Sequence, residues 1–114
     1  MPTERSDSRP PSSEQGSLAS LQRHMAGMYL EKDSRRGLDG TFMYLVSEVG
    51  ELAQALRDGV GRDEEFADTL AWLLSVANLA GVDLQNAFEQ RYLKCPHCGL
   101  DPCVCQSKIG RAHV

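Results

Sequence analysis

The sequence has no long apolar segment and no excess of positive charge. No apolar run approaches the roughly 20 residues that a membrane-spanning helix needs. Residues 1–5 lack the apolar stretch of a secretory signal, so we expect a cytoplasmic protein. The formal net charge is −4, which disfavours nonspecific binding to nucleic acid or to an anionic membrane surface. We therefore expect neither nucleic acid nor a membrane as a partner.

The sequence also lacks the period-two alternation of exposed strands, and apolar residues recur at helical spacing instead. We predict helices starting near Ser17, from about Thr41 to Arg57, from about Asp63 to Ala80, and from Leu84 to about Tyr92. Glycines and charges predict a loop from Asp33 to Gly40. The fold class is therefore all-α, with four helices in a bundle. The residues predicted to face the core are Leu18, Leu21, Met25, Met28, Tyr29, Phe42, Leu45, Val49, Leu52, Leu56, Phe66, Leu70, Leu73, Leu74 and Ala77.

The two ends of the chain differ in composition from its middle. Residues 1–16 are rich in Ser, Pro, Arg and Glu and nearly free of apolar side chains, which predicts a disordered tail. Residues 17–94 carry the helical pattern of one domain, and residues 95–105 form a cysteine-rich tail. Residues 108–114 match the translation of a common sequencing adapter. We therefore exclude this last segment from the functional interpretation.

Four carboxylates form two pairs. Glu48 and Glu51 lie three residues apart on the second predicted helix, and Glu65 and Asp68 lie three apart on the third. A short turn joins these helices, so both pairs are predicted to point into the same space. Crowded carboxylates repel one another unless a cation is bound, and Mg²⁺ prefers carboxylate oxygens. The alternative is a pair of solvated helix faces, but the adjacent apolar residues and the lack of nearby Lys or Arg favour a metal site.

The segments around these carboxylates, SEVGELAQAL at 47–56 and EEFADTLAWL at 64–73, resemble the MazG-like nucleotide pyrophosphohydrolases. The family signature is ExxE on one helix and ExxD on the next. The resemblance implies hydrolysis of a nucleoside triphosphate to the monophosphate and pyrophosphate, as nucleotide-pool house-cleaning by a homodimer or tetramer. It also implies that the metal, Mg²⁺ with Mn²⁺ as an alternative, is bound by Glu48, Glu51, Glu65 and Asp68.

Ser47 stands where many relatives of this family have an additional Glu that helps to activate water. The general base therefore stays open between Glu48 and Glu51.

Four basic residues are candidates for substrate binding. Arg35 and Arg36 precede Gly37, and arginine is suited to bidentate phosphate recognition. The alternative is an ordinary solvated loop. Arg91 and Lys94 end the fourth predicted helix, where the resemblance implies basic residues against the phosphates. Interaction with the dipole at the helix C-terminus is the alternative.

The remaining polar and aromatic candidates are less specific. Asn78 lies in a region where the resemblance implies an amide that reads a base or sugar edge. It is equally explained as a satisfied polar group at a packing interface. Tyr44 and Trp72 fit core or dimer packing better than base stacking. We interpret His24 as a residue at the edge of the apolar stripe and not as a ligand.

All four cysteines fall within eleven residues, and in a reducing compartment such clustering favours metal over disulfides. Four thiolates suit tetrahedral Zn²⁺. The CxC pair is less usual and the intervening loop is short. The alternatives are therefore zinc shared between chains, replacement of one thiolate by His97, or free redox-active thiols. The predicted zinc ligands are Cys95, Cys98, Cys103 and Cys105.

Two other functions fit part of the sequence. A non-catalytic helical zinc-binding adaptor would use the acidic face for docking and would show no magnesium-dependent turnover. A phosphoribosyl-ATP pyrophosphohydrolase has a similar fold, but the cysteine tail and the context of Asn78 favour the MazG-like enzymes.

Overall fold

The computed structural model describes residues 16–106, and within this range all regular secondary structure is helical. Helix α1 spans Leu18–Arg36, α2 Leu38–Asp58, α3 Arg62–Ala80 and α4 Leu84–Tyr92. The predicted all-α class with four helices is confirmed. None of these helices combines the length and apolarity needed to cross a bilayer. The predicted disordered tail, apart from its last residue, and the adapter-like segment lie outside the described residues.

A single residue, Gly37, separates α1 from α2. The predicted loop from Asp33 to Gly40 is wrong, because α1 continues through Arg36 and α2 begins at Leu38. Gly37 makes the break alone, with φ 92° and ψ 163°, a conformation that residues with a side chain rarely adopt. Asp33 and Arg36 form a 2.8 Å ion pair within the last turn of α1. Pairing at this spacing supports helical structure in a stretch whose charges suggest a loop.

Helices α2 and α3 are antiparallel neighbours, as predicted, joined by a tight turn at 59–61. Tyr44 stacks on Trp72 with ring centroids 4.8 Å apart. One turn further along α2, the Glu48 carbonyl accepts a long 3.5 Å hydrogen bond from the Thr69 hydroxyl. The residue numbers of the contacting positions therefore increase along α2 and decrease along α3, as expected for antiparallel helices. This arrangement brings the two acidic motifs face to face.

The buried apolar core is small. Several predicted core residues, including Phe42, Val49, Leu56 and Phe66, are about half exposed. They lie on a second apolar face of α2 and α3 that the single chain does not cover. The apolar residues that are buried among those described are Leu45, Ala55, Leu74 and Ala77.

The predicted apolar stripe of α1 is also wrong in part. Met28 and Tyr29 are exposed, whereas the buried residues of this helix are Ser20, Gln22 and Asp33. Polar groups can be buried here because they are hydrogen-bonded, and hydropathy spacing carries no signal for such contacts.

Gln22 attaches α1 to the end of α3. Its side-chain amide donates to the Val82 carbonyl at 2.7 Å and accepts from the Leu84 backbone amide at 3.0 Å. The Asn78 side chain in turn donates to the Gln22 carbonyl at 3.2 Å. The Gln22 side chain thus satisfies a carbonyl of the loop before α4 and the first backbone amide of α4.

Residues from Gln85 onward belong to a second compact unit, which holds most of α4 and the cysteine tail. Within α4, Phe88 stacks on Tyr92 with centroids 5.6 Å apart, and the Arg91 guanidinium lies 5.7 Å from the Tyr92 ring. No residue of this unit is fully buried within the described range.

Candidate functional site

Three of the four predicted carboxylates converge between α2 and α3. Glu48, Glu65 and Asp68 are half-buried, and each places an oxygen within 4.8 Å of the other two. The spacing of three residues sets Glu65 and Asp68 on one face of α3, and Glu48 faces them from α2. Oxygens around octahedral Mg²⁺ lie roughly 3–4 Å apart, given Mg–O distances of about 2.0–2.1 Å. The three oxygens are therefore close enough together to serve as ligands of one ion.

Glu65 lies in electrostatic surroundings that disfavour its charged form. Burial raises its pKa above the ordinary value, the charges of Glu48 and Asp68 raise it further, and a hydrogen bond with Glu48 and the charge of Glu51 add to this. Its Oε1 is buried without a hydrogen-bond partner, and no other side-chain oxygen or nitrogen described in this chain is in that condition. A buried carboxylate oxygen without a donor is well suited to a hard divalent cation. The residues present therefore fit Mg²⁺ or Mn²⁺.

Glu51 lies beside this group and not within it. It is exposed, and it is not among the three residues whose oxygens converge. Its charge nevertheless contributes to the raised pKa of Glu65, so the two carboxylates are near each other. The four predicted metal ligands are thus placed as a tight group of three with a fourth carboxylate at its edge.

A cleft of about 290 Å³ between α1 and α3 adjoins the acidic group. Asp68 belongs to both the acidic group and the cleft wall, so a ligand in the cleft would reach an ion held by this carboxylate. The volume is at the lower end of small-molecule sites. Lys32 adds an ammonium group to the wall, which favours an anionic ligand. The lining residues are Met25, Tyr29, Lys32, Asp33, Arg36, Asp68, Ala71, Trp72 and Ser75.

Arg36 is held by several groups at once. Its guanidinium donates to the Asp33 carboxylate at 2.8 Å and to the Thr41 hydroxyl at 3.2 Å. It also lies 5.0 Å from the Trp72 ring centroid and 5.5 Å from that of Tyr44. Arg36 therefore positions the stacked rings and the start of α2.

Arg35 has different surroundings, although the sequence gives both arginines the same predicted role. It pairs with the exposed carboxylate of Glu31 at 3.1 Å and does not line the cleft. Both arginines lie in the last turn of α1 and not in a loop.

The other predicted substrate contacts lie apart from the cleft or in the second unit. Asn78 is ten residues after Asp68, roughly 15 Å along α3, and lines a separate 230 Å³ cavity. Its bond to the Gln22 carbonyl matches the packing interpretation. Arg91 and Lys94 are exposed residues of the second unit, and Lys94 lines a cavity beside the cysteines.

The four cysteine sulfurs also converge, all within 4.8 Å of one another. The sulfurs of Cys95 and Cys105 are 3.7 Å apart, far beyond the roughly 2.05 Å of a disulfide. The group consists of four sulfurs from one chain, and His97 is not part of it. The short loop between the CxxC and CxC pairs therefore does not prevent one chain from supplying four thiols. Backbone amides of Cys98 and His97 lower the pKa of Cys95 to about 6, whereas the partial burial of Cys105 raises its pKa. The crowded thiols thus differ in their readiness to ionise.

Sequence reasoning missed Lys32 and Asp33 as cleft residues. The sequence predicts a loop at Asp33, and Lys32 stands in a predicted helix without a motif. The signal was present as spacing: positions 25, 29, 32 and 36 fall on one helical face and all line the cleft.

The comparison with protein families agrees with this geometry. A family model for the MazG nucleotide pyrophosphohydrolase domain matches residues 37–98, more than half of the chain, while no curated protein matches it. The matched stretch contains all four predicted carboxylates. This chain therefore belongs to the MazG nucleotide pyrophosphohydrolase domain family.

Proposed function

We propose that this chain is a Mg²⁺-dependent hydrolase that cleaves a (deoxy)nucleoside triphosphate into the monophosphate and pyrophosphate, in nucleotide-pool house-cleaning. The observation that carries the proposal is the convergence of Glu48, Glu65 and Asp68 beside the cleft, with the Glu65 Oε1 buried and without a partner. Membership of the MazG family supports pyrophosphohydrolysis in general. Mn²⁺ is the alternative ion, because it also prefers carboxylate oxygens.

Each acidic residue has a proposed role in this reaction. Glu48, Glu65 and Asp68 would hold the ion. When bound, Mg²⁺ neutralises charge on phosphate oxygens and lowers the pKa of coordinated water. Glu51 accepts the proton of the attacking water, because it lies beside the converging group without belonging to it. One water is consumed and one phosphoanhydride bond breaks, with pyrophosphate as the leaving group.

The cleft residues have proposed roles in binding. Lys32 contacts a phosphate of the nucleotide, since it is the lysine that lines the cleft containing Asp68. Arg36 acts by positioning Tyr44 and Trp72. Phosphate contacts by Arg91 and Lys94 stay predictions.

The test is turnover of a panel of (d)NTPs and phosphoribosyl-ATP with Mg²⁺, with pyrophosphate and orthophosphate scored separately. Glu48→Gln and Asp68→Asn should each lower kcat more than about 100-fold, because each removes a metal ligand. Glu64→Gln is the matched control: it is an exposed acid next to Glu65 and outside the group, so its activity should stay within about twofold.

Three results would contradict the proposal. Release of orthophosphate alone would exclude cleavage between the α and β phosphates. Full activity in both metal-ligand variants would exclude the carboxylate group as the metal site. Absence of turnover in the wild type would favour the adaptor hypothesis.

We also propose a homodimer or a tetramer. Phe42, Val46 and Val49 are 49%, 48% and 51% exposed and share one stripe of α2. Light scattering after gel filtration should give twice or four times the chain mass. Val46→Glu should lower this mass, whereas Val60→Glu, in the turn after α2 and 74% exposed, should not. A monomeric wild-type protein would refute the assembly.

We propose Zn²⁺ as the ion of the cysteine group. Four cysteine sulfurs within 4.8 Å of one another suit a soft tetrahedral ion. Reduced thiols are also typical of the cytoplasm, which we propose as the compartment.

A further inference from the structure

The cysteine tail has no apolar core that would order it. None of residues 93–106 is buried, and Leu93, Leu100 and Val104 are 71%, 51% and 68% exposed. Ordering a peptide segment costs conformational entropy, which buried apolar surface usually offsets. Another interaction must therefore stabilise the fold of this segment.

The four cysteines of one chain are enough to provide all four ligands of a tetrahedral metal site. All four sulfurs come from residues 95–105 and lie within 4.8 Å of one another. In tetrahedral zinc–thiolate sites the Zn–S distance is about 2.3 Å, so neighbouring sulfurs are roughly 3.8 Å apart. The Cys95–Cys105 separation of 3.7 Å is close to that distance. A second chain is not needed to complete the set.

The backbone around these cysteines is arranged to support bound thiolates. Gly99, with φ 76°, reverses the chain, its amide donating to the Cys95 carbonyl at 2.8 Å while the Cys95 amide donates to the Leu100 carbonyl at 3.0 Å. The backbone amide of His97 donates to the Cys95 sulfur at 3.4 Å, and that of Cys105 to the Cys103 sulfur at 3.1 Å. Donors of this kind orient metal ligands and stabilise their negative charge.

We propose that one Zn²⁺ per chain folds residues 93–106, with all four thiolate ligands from the same chain, so that the tail is a zinc-dependent folding module. The inference rests on the proposed assignment of Zn²⁺ to the cysteine group. Zinc replaces the thiol protons without any change of oxidation state, and the free energy of metal binding becomes the free energy of folding of the segment. Four protein ligands leave no open coordination position, so the role is structural and not catalytic.

The test uses the full-length chain, kept reduced with a phosphine and loaded with ZnSO₄. Bound zinc is measured per chain at several protein concentrations after desalting. Hydrogen exchange is then followed by mass spectrometry in peptides from the tail and from α3, before and after zinc is removed with a chelator. Cys98→Ser and Cys105→Ser remove single ligands. The matched control is His97→Ala, which leaves the four sulfurs and the backbone donor at that position in place.

We expect one zinc per chain in the wild type and in His97→Ala, independent of protein concentration, and much less in both cysteine variants. Removal of zinc should raise exchange in the tail to roughly the rate of an unprotected peptide, while α3 stays protected. A wild-type chain that binds no zinc overturns the assignment of the ion itself. Bound zinc with unchanged tail exchange after its removal, or half a zinc per chain, leaves that assignment intact but overturns the single-chain folding module.

Discussion

Replacing Arg36 by alanine should destabilise the helical unit, whereas the same replacement at Arg35 should have almost no effect. The two residues are adjacent and chemically identical, and the sequence gives both the same predicted phosphate role. Arg36 bonds to a carboxylate whose side chain is only 5% exposed, that of Asp33, and its own side chain is 29% exposed. Arg35 and its partner Glu31 are 67% and 86% exposed.

The magnitude follows from these contacts. A hydrogen bond between charged groups contributes about 1.5–3 kcal/mol, and a partly exposed cation–π contact about 0.5–1 kcal/mol. Because Arg36 is partly exposed, we take the lower half of each range, which gives a loss of roughly 2–3 kcal/mol. For a domain of this size that corresponds to a decrease in Tm of roughly 8–24 °C. The exposed pair of Arg35 contributes at most about 0.5 kcal/mol.

The assay is thermal and urea unfolding of Arg36→Ala and Arg35→Ala at one fixed protein concentration, with steady-state kinetics on the same samples. The loss of unfolding free energy in the double variant Asp33→Asn/Arg36→Ala should be smaller than the sum of the losses in the two single variants, because the residues share one bond. Equal Tm values for the two arginine variants would refute the reasoning. So would an unchanged Tm in Arg36→Ala with a KM raised about tenfold, since a phosphate ligand without a structural role would behave in that way.

Three further outcomes are expected. Because the folded-state pKa of Glu65 is raised above its ordinary 4.5, this carboxyl binds its proton more tightly in the metal-free folded chain than in the unfolded chain. Its contribution to stability should therefore fall as pH rises from about 4.5 through that raised pKa. Glu65→Gln should weaken this dependence of stability on pH, measured by urea unfolding without divalent ions. An unchanged dependence would contradict the raised pKa of Glu65. Mg²⁺ at 100 times its Kd should stabilise the wild type by about 2.7 kcal/mol and leave the Tm of Asp68→Asn nearly unchanged; equal shifts would place the ion elsewhere. Leu74→Ala should lower the free energy of unfolding by about 2–5 kcal/mol in urea, because Leu74 is buried, whereas Val60→Ala should change it by no more than about 0.5 kcal/mol. Similar losses in the two variants would contradict the placement of Leu74 in the core.

The sequence predicts what depends on local spacing. Helix boundaries at Gly59 and Gly81 follow from residues that end helices by their own conformational preference. The approach of Glu48 to Glu65 and Asp68 follows from a spacing of three and a short turn.

The sequence could not predict features that depend on how helices meet. Arg36 remains helical through contacts with Asp33 and Thr41, one of which reaches across Gly37 into the next helix. Gln22 is buried because it bonds to a loop sixty residues later. Half-exposed apolar residues such as Val49 have the same spacing as core residues, so periodicity cannot separate a core from a face that another chain would cover.

The cysteine group and the carboxylate group differ in how many ligands they offer to a metal ion, and this difference suggests different roles for the two groups. The cysteine group offers four sulfurs, the full number of ligands for tetrahedral zinc, so an ion held there would have no position for a substrate. The converging carboxylates supply three oxygens to an ion that prefers six, and Asp68 also borders an open cleft. An ion held there keeps positions for water and phosphate oxygens, as the proposed hydrolysis requires. Loss of a thiol should therefore be detected first as unfolding of the tail, and loss of a carboxylate first as loss of turnover.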